Sequence, residues 1–360
     1  MNADYRIPAI IAVYRGLYQL GSKRPNDGMA MAARYRTCLL LVVMVLAGLS
    51  QASGNEQRAI EIAHRYGTTE IKGTPRRVVS LSFIGHDFLL ALGVKPVALR
   101  YWYGQYPFGV WPWAQDALGD AEPVVMRGEL DIELIASLEP DLIVGIWSGM
   151  SEDDYRLLSR IAPTVAPTAE HGDYGTPWRA MMRTLGKATG RSDEAERTID
   201  GVDRKIARLR TQYPDWQGKS ATFVWPGELG AYTSRDIRGR LLAELGFEVA
   251  AAVDDLRRGD LFYVLISEED LSPIDTDVLI WLHSSDAPDR IRGLPLRKTM
   301  RAYKEGRELY ADEILSSALS HSSPLSLDYA LDRLAPLLAQ ATDGDPGTRG
   351  ESSAKAGLVP

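Results

Sequence analysis

The strongest constraint on the fold is a sequence pattern that occurs twice in the same order. Residues 133–147 read ELIASLEPDLIVGIW and residues 269–283 read EDLSPIDTDVLIWLH, and in both copies an Asp follows the opening Glu after eight positions. An apolar run typical of a buried strand follows each Asp. The related segments LLALGV (89–94) and LLAELGF (241–247) precede the two copies. This duplicated order predicts two similar α/β lobes with a cleft between them.

Composition excludes several classes of function. A chain of 360 residues has room for about two domains. Its net charge of −7 gives no basic surface for nucleic acid. Cys38 is the only cysteine, so we expect no structural zinc or iron–sulfur site. The sequence also lacks the GxSxG, HExxH and Walker A patterns, which favours a protein that is not an enzyme.

The first 53 residues are interpreted as an N-terminal extension followed by an export signal. Arg34 and Arg36 precede the apolar run 38–49, and the small residues SQAS follow it, which predicts cleavage near Ala52. The run is about 12 residues long, whereas a membrane span needs about 20. Cys38 opens this run instead of closing it, so we expect no lipid anchor and place the mature protein in the periplasm or cell envelope. Met29 or Met31 would give this signal an ordinary start.

Strand-like and helix-like segments alternate along the rest of the chain, which predicts an α/β fold of two Rossmann-like lobes with mostly parallel central sheets. Two short strands are expected around Gly67, and an edge strand is expected over 307–313. The predicted buried strands are 76–82, 95–100, 141–147, 221–225 and 277–283. The predicted organisation is an N-terminal lobe (54–176), a linking helical segment (177–214), a C-terminal lobe (215–342) and a disordered tail (343–360).

The linking segment contains one long amphipathic helix over 192–214. Its apolar residues recur at steps of three and four, which places them on one helix face: Ala195, Ile199, Val202, Ile206 and Leu209. About 19 helical residues would span roughly 28 Å. A single helix of this length is a stiff connection, so we expect only modest closure of the two lobes.

A ligand site is expected at the carboxyl ends of the parallel strands, where ligands of open α/β sheets bind. Aromatic side chains with polar atoms cluster there: Tyr101, Trp102, Tyr103, Trp111, Trp113, Trp147, Trp225 and Tyr232. A single tryptophan is more often part of a core, so the prediction depends on the clustering. His86 and His283 are further candidates, and His283 occupies the position of Trp147 in the repeat.

Three arginines are candidates for contacting anionic oxygens of a ligand: Arg100, Arg235 and Arg238. Taken alone, each of these arginines is more often a surface residue than a ligand contact. The loop after ATFVW contains Gly227 and Gly230.

Seven segments in order resemble one protein family, the helix-linked periplasmic binding proteins of ABC importers for ferric siderophores, haem and cobalamin. They are TPRRVVSLS (74–82), LLALGVKPVAL (89–99), IELIASLEPDLIV (132–144), LLSRIAPTVAP (157–167), PWRAMMRTLGKATGR (177–191), LLAELGF (241–247) and ISEEDLSPIDTDVLIW (266–281). The resemblance covers about residues 60–341, and the loop 102–114 is most similar to actinobacterial members of the siderophore branch.

The resemblance implies a monomeric solute-binding protein that delivers a ferric siderophore to an ABC permease dimer. The chelator holds the iron, so neither a cofactor nor a protein metal ligand is implied. Glu133 and Glu269 match the two glutamates with which the family docks onto permease arginines. The other reading of each is a solvated acid favoured by a helix N-terminus, and Glu268 could replace Glu269 in the docking role.

Two alternatives remain open from the sequence. A haem-binding protein on the same scaffold would use Tyr101, Tyr103 or His86 as the axial ligand. An enzyme on this fold, such as a chelatase, would need clustered acid, base or nucleophilic groups.

Overall fold

The computed structural model describes residues 59–259 and 262–359. The export signal predicted over 34–53 lies outside these residues. Among the helices of these residues, none combines the length and the hydrophobicity that a transmembrane span requires. The described chain contains a small hairpin and two larger sheets, which confirms the predicted α/β class.

The described chain begins with an antiparallel hairpin of strands β1 (Ile60–His64) and β2 (Gly67–Ile71). The chain reverses at Gly67, whose φ of 130° strongly favours glycine. The two short strands expected around this residue are therefore confirmed.

The first large sheet is entirely parallel, with the strand order β5-β4-β3-β6-β7. Its strands are β3 (Val78–Ser80), β4 (Ala98–Arg100), β5 (Val124–Met126), β6 (Leu142–Val144) and β7 (Thr164–Val165). The helices of this part of the chain are α1 (Gly85–Ala91), α2 (Gln115–Leu118), α3 (Ile132–Ser137), α4 (Glu152–Leu158) and α5 (Trp178–Ala188).

The second large sheet has the order β11-β9-β8-β12-β13, with β10 paired alongside the start of β8. Its strands are β8 (Ser220–Trp225), β9 (Gly230–Tyr232), β10 (Glu248–Val249), β11 (Tyr263–Leu265), β12 (Val278–Trp281) and β13 (Glu308–Tyr310). Strand β9 runs antiparallel to both of its neighbours, β8 and β11. Neither β9 nor β11 was predicted, and β9 begins at Gly230, in the expected loop. Strand β13 is at the edge, as expected.

The helices that follow β9 cover the second sheet or close the chain. They are α7 (Ile237–Leu245), α8 (Ala251–Asp255), α9 (Ala287–Gly293), α10 (Arg301–Lys304), α11 (Glu313–His321), α12 (Pro324–Ala341) and α13 (Glu351–Lys355).

The duplicated Asp has the same structural role in both sheets. Asp141 precedes β6 and accepts hydrogen bonds from the backbone N–H groups of Arg76 and Arg77, just before β3. Asp277 precedes β12 and accepts from the backbone N–H of Ser220, where β8 begins. Because β6 pairs with β3 and β12 pairs with β8, each Asp fixes the register of two neighbouring parallel strands.

The predicted linking helix is present as α6 (Ser192–Gln212), and its predicted apolar face is buried from Ala195 to Ile206. Lys205 on this helix lies 2.7 Å from Asp328 and 2.8 Å from Asp332 of α12. Helix α12 also packs against α1, the helix that connects β3 to β4 of the first sheet. Helix α12 therefore contacts both halves of the chain, while the lobe boundaries at 176 and 215 stay a prediction.

The prediction of disorder over 343–360 is wrong for most of this segment. It contains α13, which packs against β13. The carbonyl of Leu358, whose side chain is buried, accepts a 2.6 Å hydrogen bond from Arg297. Arg297 is itself buried against Glu308, so the segment covers an ion pair that would otherwise face water. The polar composition of 343–360 did not indicate an ordered segment, because a single large apolar side chain, Leu358, anchors it to the rest of the chain.

Candidate functional site

A cavity of about 690 Å³ lies at the carboxyl ends of the parallel strands of both large sheets. The sequence predicted a site at this location, and both halves of the chain contribute to it. Residues before α5 that line the cavity are Phe83, Trp102, Tyr103, Trp147 and Tyr174. Residues after α6 that line it are Trp225, Tyr232, Asp236, Arg238, Phe262, Tyr263, Leu282, His283, Glu313, Ser316, Ser317 and Ser320.

The first wall is a set of aromatic rings placed by strand ends. Phe83 follows β3 and lies 6.0 Å from Trp102, which follows β4. Trp102 in turn lies 4.6 Å from Tyr103 and remains 38% exposed. A large apolar side chain with this exposure beside a cavity is available for contact with a ligand.

Trp147 is held at the end of the first wall in a strained backbone conformation. Its φ is 66°, which is rare for a residue with a bulky side chain. Its indole N–H points to the carbonyl of Thr176 at 3.4 Å, and its ring meets that of Tyr174 edge-on at 5.7 Å. Strain of this kind is commonly found at functional sites.

The opposite wall comes from β8, β9 and β11. Trp225 ends β8, and its indole approaches Gly227 so closely that a Cβ there would lie 2.4 Å from the ring. The absence of a side chain at Gly227 therefore lets the indole take this position. The rings of Tyr232 and Tyr263 continue the wall at a separation of 6.2 Å.

Helix α11 supplies hydroxyl groups to the cavity through Ser316, Ser317 and Ser320. Burial raises the pKa of Tyr103, although hydrogen bonds to Ser317 and Ser320 partly oppose this shift. His283 donates its backbone N–H to Ser316 at 2.8 Å, and its Nδ1 lies 2.9 Å from the hydroxyl of Tyr310. The polar atoms on this side of the cavity are therefore mostly neutral groups.

Arg238 is buried in the wall and is paired within its own helix turn. Its guanidinium donates to both carboxylate oxygens of Asp236 at 2.6 and 2.9 Å and to Ser320 at 3.2 Å. Its plane also covers the ring of Tyr232 at 3.7 Å. Burial alone would lower the pKa of Arg238, but the Asp236 carboxylate together with Tyr232 and Tyr103 more than offsets this, so the pKa lies above its ordinary value.

Seven of the predicted ligand-binding residues line the cavity: Trp102, Tyr103, Trp147, Trp225, Tyr232, Arg238 and His283. The other five, Tyr101, Trp111, Trp113, Arg235 and His86, lie outside its lining.

Trp111 is buried and Trp113 is half-buried behind the wall, whereas both were expected to contact the ligand. Their rings stack at 5.1 Å, and Trp111 is only 1% exposed. The indole N–H of Trp113 donates to Asp87 at 2.6 Å. Gly104, at a φ of 92°, lets the chain fold over Trp111, because a Cβ there would lie 2.7 Å from the indole.

The remaining predicted residues are engaged elsewhere. The hydroxyl of Tyr101 donates to the carbonyl of Gly104 at 2.8 Å. His86 is buried, and Arg235 is exposed on the surface. Arg100 lies behind the wall, with its guanidinium 4.4 Å from the Phe83 ring.

A buried polar cluster joins the two halves of the chain beneath the aromatic layer. We call it the Asp87 cluster and define it as His86, Asp87, His321 and Ser323. Asp87 accepts from Trp113 and, at 2.8 Å, from the hydroxyl of Ser323, which is the N-cap of α12. The ring of His321 sits 6.3 Å from that of His86. Sequence reasoning missed Asp87 because nothing in its local pattern marks it as buried.

Glu133 and Glu269 are both exposed, but their local structures differ. Glu133 lies in the first turn of α3, after the N-cap Asp131. Glu269 lies in a turn, with its backbone N–H donating to Ser267 at 3.2 Å. In the described residues no group of three or more His, Cys, Asp or Glu could hold a metal ion.

Several cavity residues were missed by sequence reasoning. Phe83 follows a strand end and could have been found by the rule that identified Trp102. Tyr174, Phe262 and Tyr263 come from segments that had no clear pattern. Ser316 and Ser320 are one helical turn apart on α11, a signal too common to distinguish a site.

The geometry agrees with comparisons to known proteins. The family described as periplasmic binding protein matches residues 78–315, so the chain belongs to this family. A probable siderophore-binding lipoprotein of Bacillus subtilis, YfiY, is 28% identical over 300 residues, covering 77% of this chain and 89% of its own.

Solved structures agree with this assignment. A periplasmic solute binding protein of Mycobacterium smegmatis is 34% identical, with a TM-score of 0.71 and coverage of 79% of this chain and 99% of its own. The PiaA protein of Streptococcus pneumoniae, solved in complex with ferrichrome, is 26% identical with a TM-score of 0.67, again covering 79% and 99%. Two-lobed binding proteins thus share this chain's fold almost over their full length.

Proposed function

We propose that this protein captures a ferric siderophore in the cavity between its lobes and delivers it to an ABC permease for iron uptake. The observation that carries the proposal is the cavity of about 690 Å³, walled by aromatic rings from both halves of the chain. A ferric siderophore is a bulky and partly apolar chelate, for which a large aromatic cavity is suited. The relative YfiY and the ferrichrome-bound neighbour support the same ligand class.

The role is binding and delivery rather than catalysis. The ligand brings its own iron ligands, so the protein supplies shape and hydrogen bonds without a metal site or a cofactor. Export to the periplasm or cell envelope fits this role, since the family is one of periplasmic binding proteins.

The geometry gives little support to haem as the cargo. A tyrosine ligates haem iron as its phenolate. Burial raises the pKa of Tyr103, and the hydroxyl of Tyr101 is committed to the carbonyl of Gly104. His86, the third axial candidate, is buried outside the cavity lining.

Titration with ferric siderophores should strongly quench tryptophan fluorescence, because Trp102, Trp147 and Trp225 line the cavity. The panel would contain hydroxamate, catecholate and carboxylate chelates, with haem as the competing ligand. Trp216 is fully buried outside the cavity, so Trp216→Phe should leave the quenching amplitude largely intact, whereas Trp225→Phe should reduce it. No response to any iron chelate, or a Soret band that disappears in Tyr103→Phe, would contradict the proposal.

We also propose that Glu133 and Glu269 dock the loaded protein onto the permease dimer. Both carboxylates are exposed, and their equivalent places in the repeat suit a two-fold symmetric partner with arginine pockets. The double variant Glu133→Ala with Glu269→Ala should lower iron uptake at least about tenfold, since each charge-assisted contact contributes about 1.5 to 3 kcal/mol.

Affinity for the siderophore should stay unchanged in this double variant, which is measured by the same fluorescence titration. The matched control is Glu152→Ala with Glu248→Ala, two exposed glutamates outside the repeat positions. Glu268→Ala tests the neighbouring carboxylate. A collapse of ligand affinity in the double variant, or normal uptake, would remove the docking role.

A further inference from the structure

The charge of the cavity wall distinguishes between chemical classes of ferric siderophore. We propose that the cargo is a ferric tris-hydroxamate, a chelate without net negative charge. This inference rests on the proposed function and specifies its ligand. It follows from which charged groups reach the cavity and which neutral groups replace them.

The formally charged residues among the described lining are Arg238, Asp236 and Glu313. Asp236 already neutralises Arg238 through two hydrogen bonds of 2.6 and 2.9 Å. Glu313 is exposed at the start of α11 and adds a negative charge. The sum over these groups is one excess negative charge, so the wall opposes an anionic ligand.

The other predicted arginines do not change this balance inside the cavity. Arg100 lies behind Phe83 and donates to the carbonyl of Ser148 at 3.0 Å. Arg235 is exposed and lies outside the cavity lining. Of the three arginines expected to contact anionic oxygens of the ligand, only Arg238 lines the described cavity, and it is already paired with Asp236.

The other polar side chains of the cavity wall are neutral hydrogen-bonding groups, whereas an anionic ligand would need cationic side chains there. Burial raises the pKa of Tyr103 and also the pKa of Tyr232, so both remain neutral phenols. Ser316, Ser317 and Ser320 add hydroxyl groups. Such groups can hydrogen-bond the carbonyl oxygens of hydroxamates and amides without adding charge.

The charge of a ferric chelate depends on its ligand chemistry. Three hydroxamates, each singly charged, cancel the charge of ferric iron. Three catecholates, each doubly charged, leave a trianion, and chelates built on citrate also carry excess carboxylates. An aromatic cavity whose wall carries one excess negative charge accepts the neutral chelate and penalises the anions, because a bound anion would lose hydration without meeting a compensating cation.

The test is a competition between ferrichrome, a ferric tris-hydroxamate, and a ferric tris-catecholate of similar size, followed by fluorescence. Ferrichrome should bind at least about 100-fold more tightly. Added salt should leave ferrichrome binding unchanged and should strengthen tris-catecholate binding, because screening weakens repulsion. Tighter binding of the tris-catecholate, or weakening of that binding by salt, overturns the inference.

Glu313→Gln tests the source of the selectivity. It should shift the affinity ratio toward the tris-catecholate by about three- to tenfold, an effect limited by the exposure of this carboxylate. The matched control Glu122→Gln should not shift the affinity ratio. Glu122 precedes β5 and therefore lies at the amino ends of the strands of the first sheet, whereas the cavity lies at their carboxyl ends. An equal shift in both variants contradicts the wall-charge argument, whereas failure of every iron chelate to bind contradicts the proposed function itself.

Discussion

Asp87→Leu should lower the free energy of unfolding by about 3 to 5 kcal/mol. Asp87 is fully buried, and one of its oxygens accepts from Trp113 at 2.6 Å and from Ser323 at 2.8 Å. Leucine would leave the indole N–H and the hydroxyl buried without this acceptor. Ser323 is also the N-cap of α12, so the loss would reach the helix that packs against both halves of the chain.

Urea unfolding of the purified protein measures this effect. Asp87→Asn keeps an oxygen acceptor and a similar shape, so it should cost clearly less than Asp87→Leu. Asp116→Leu replaces an exposed aspartate and should change stability by less than about 1 kcal/mol. If Asp87→Leu were no more destabilising than Asp116→Leu, the Asp87 cluster would not be what joins α1 to α12.

The second large effect is a loss of stability in mild acid caused by His321. Burial lowers the pKa of this histidine from 6.5 to about 4, with Asp87 opposing the shift and His86 adding to it. The ring is enclosed by the aromatic groups of Trp102, Tyr103, Trp111 and Trp113. A protonated imidazole is therefore poorly solvated in the folded state.

The sign of the effect follows from linkage. The unfolded chain binds the proton at a higher pH than the folded chain, so stability is fully present above about pH 6.5 and falls as the pH approaches about 4. His321 alone contributes a loss of about 3 kcal/mol over this range. Burial also lowers the pKa of His86, which acts in the same direction.

Urea unfolding at several pH values between about 7 and about 4 gives the slope of stability against pH. His321→Gln cannot be protonated and should flatten this slope, although it lowers stability at neutral pH by disturbing the aromatic enclosure. His171→Gln is the control, because His171 lies outside the Asp87 cluster. An unchanged slope in His321→Gln would show that other groups cause the acid sensitivity.

The repeat and the strand ends could be read from the sequence because they depend on local periodicity. The copies at 133–147 and 269–283 place β6 and β12 beside β3 and β8. The same copies place Trp147 and His283 in one cavity. Helix α6 was equally predictable, since its apolar residues recur at helical spacing.

The aromatic loop shows where this reasoning fails. Trp102 and Trp111 lie in the same aromatic loop, yet Trp102 lines the cavity and Trp111 is buried behind it. The difference arises at Gly104, whose φ of 92° turns the chain back over the second indole. Composition alone cannot assign an inward or outward direction to a tryptophan in a loop.

The sequence by itself determined two similar α/β lobes, the helix between them and the edge at which a ligand would meet aromatic side chains. Hydrophobic periodicity and the order of strands are sufficient for this, because they act within short segments of the chain. Only the tertiary structure decided the charge of the cavity and the burial of Asp87. The burial of Asp87 depends on partners far apart in sequence, such as Ser323. The charge of the cavity depends on which side chains the fold brings to its wall, where the pairing of Arg238 with Asp236 neutralises an arginine that the sequence offered to the ligand.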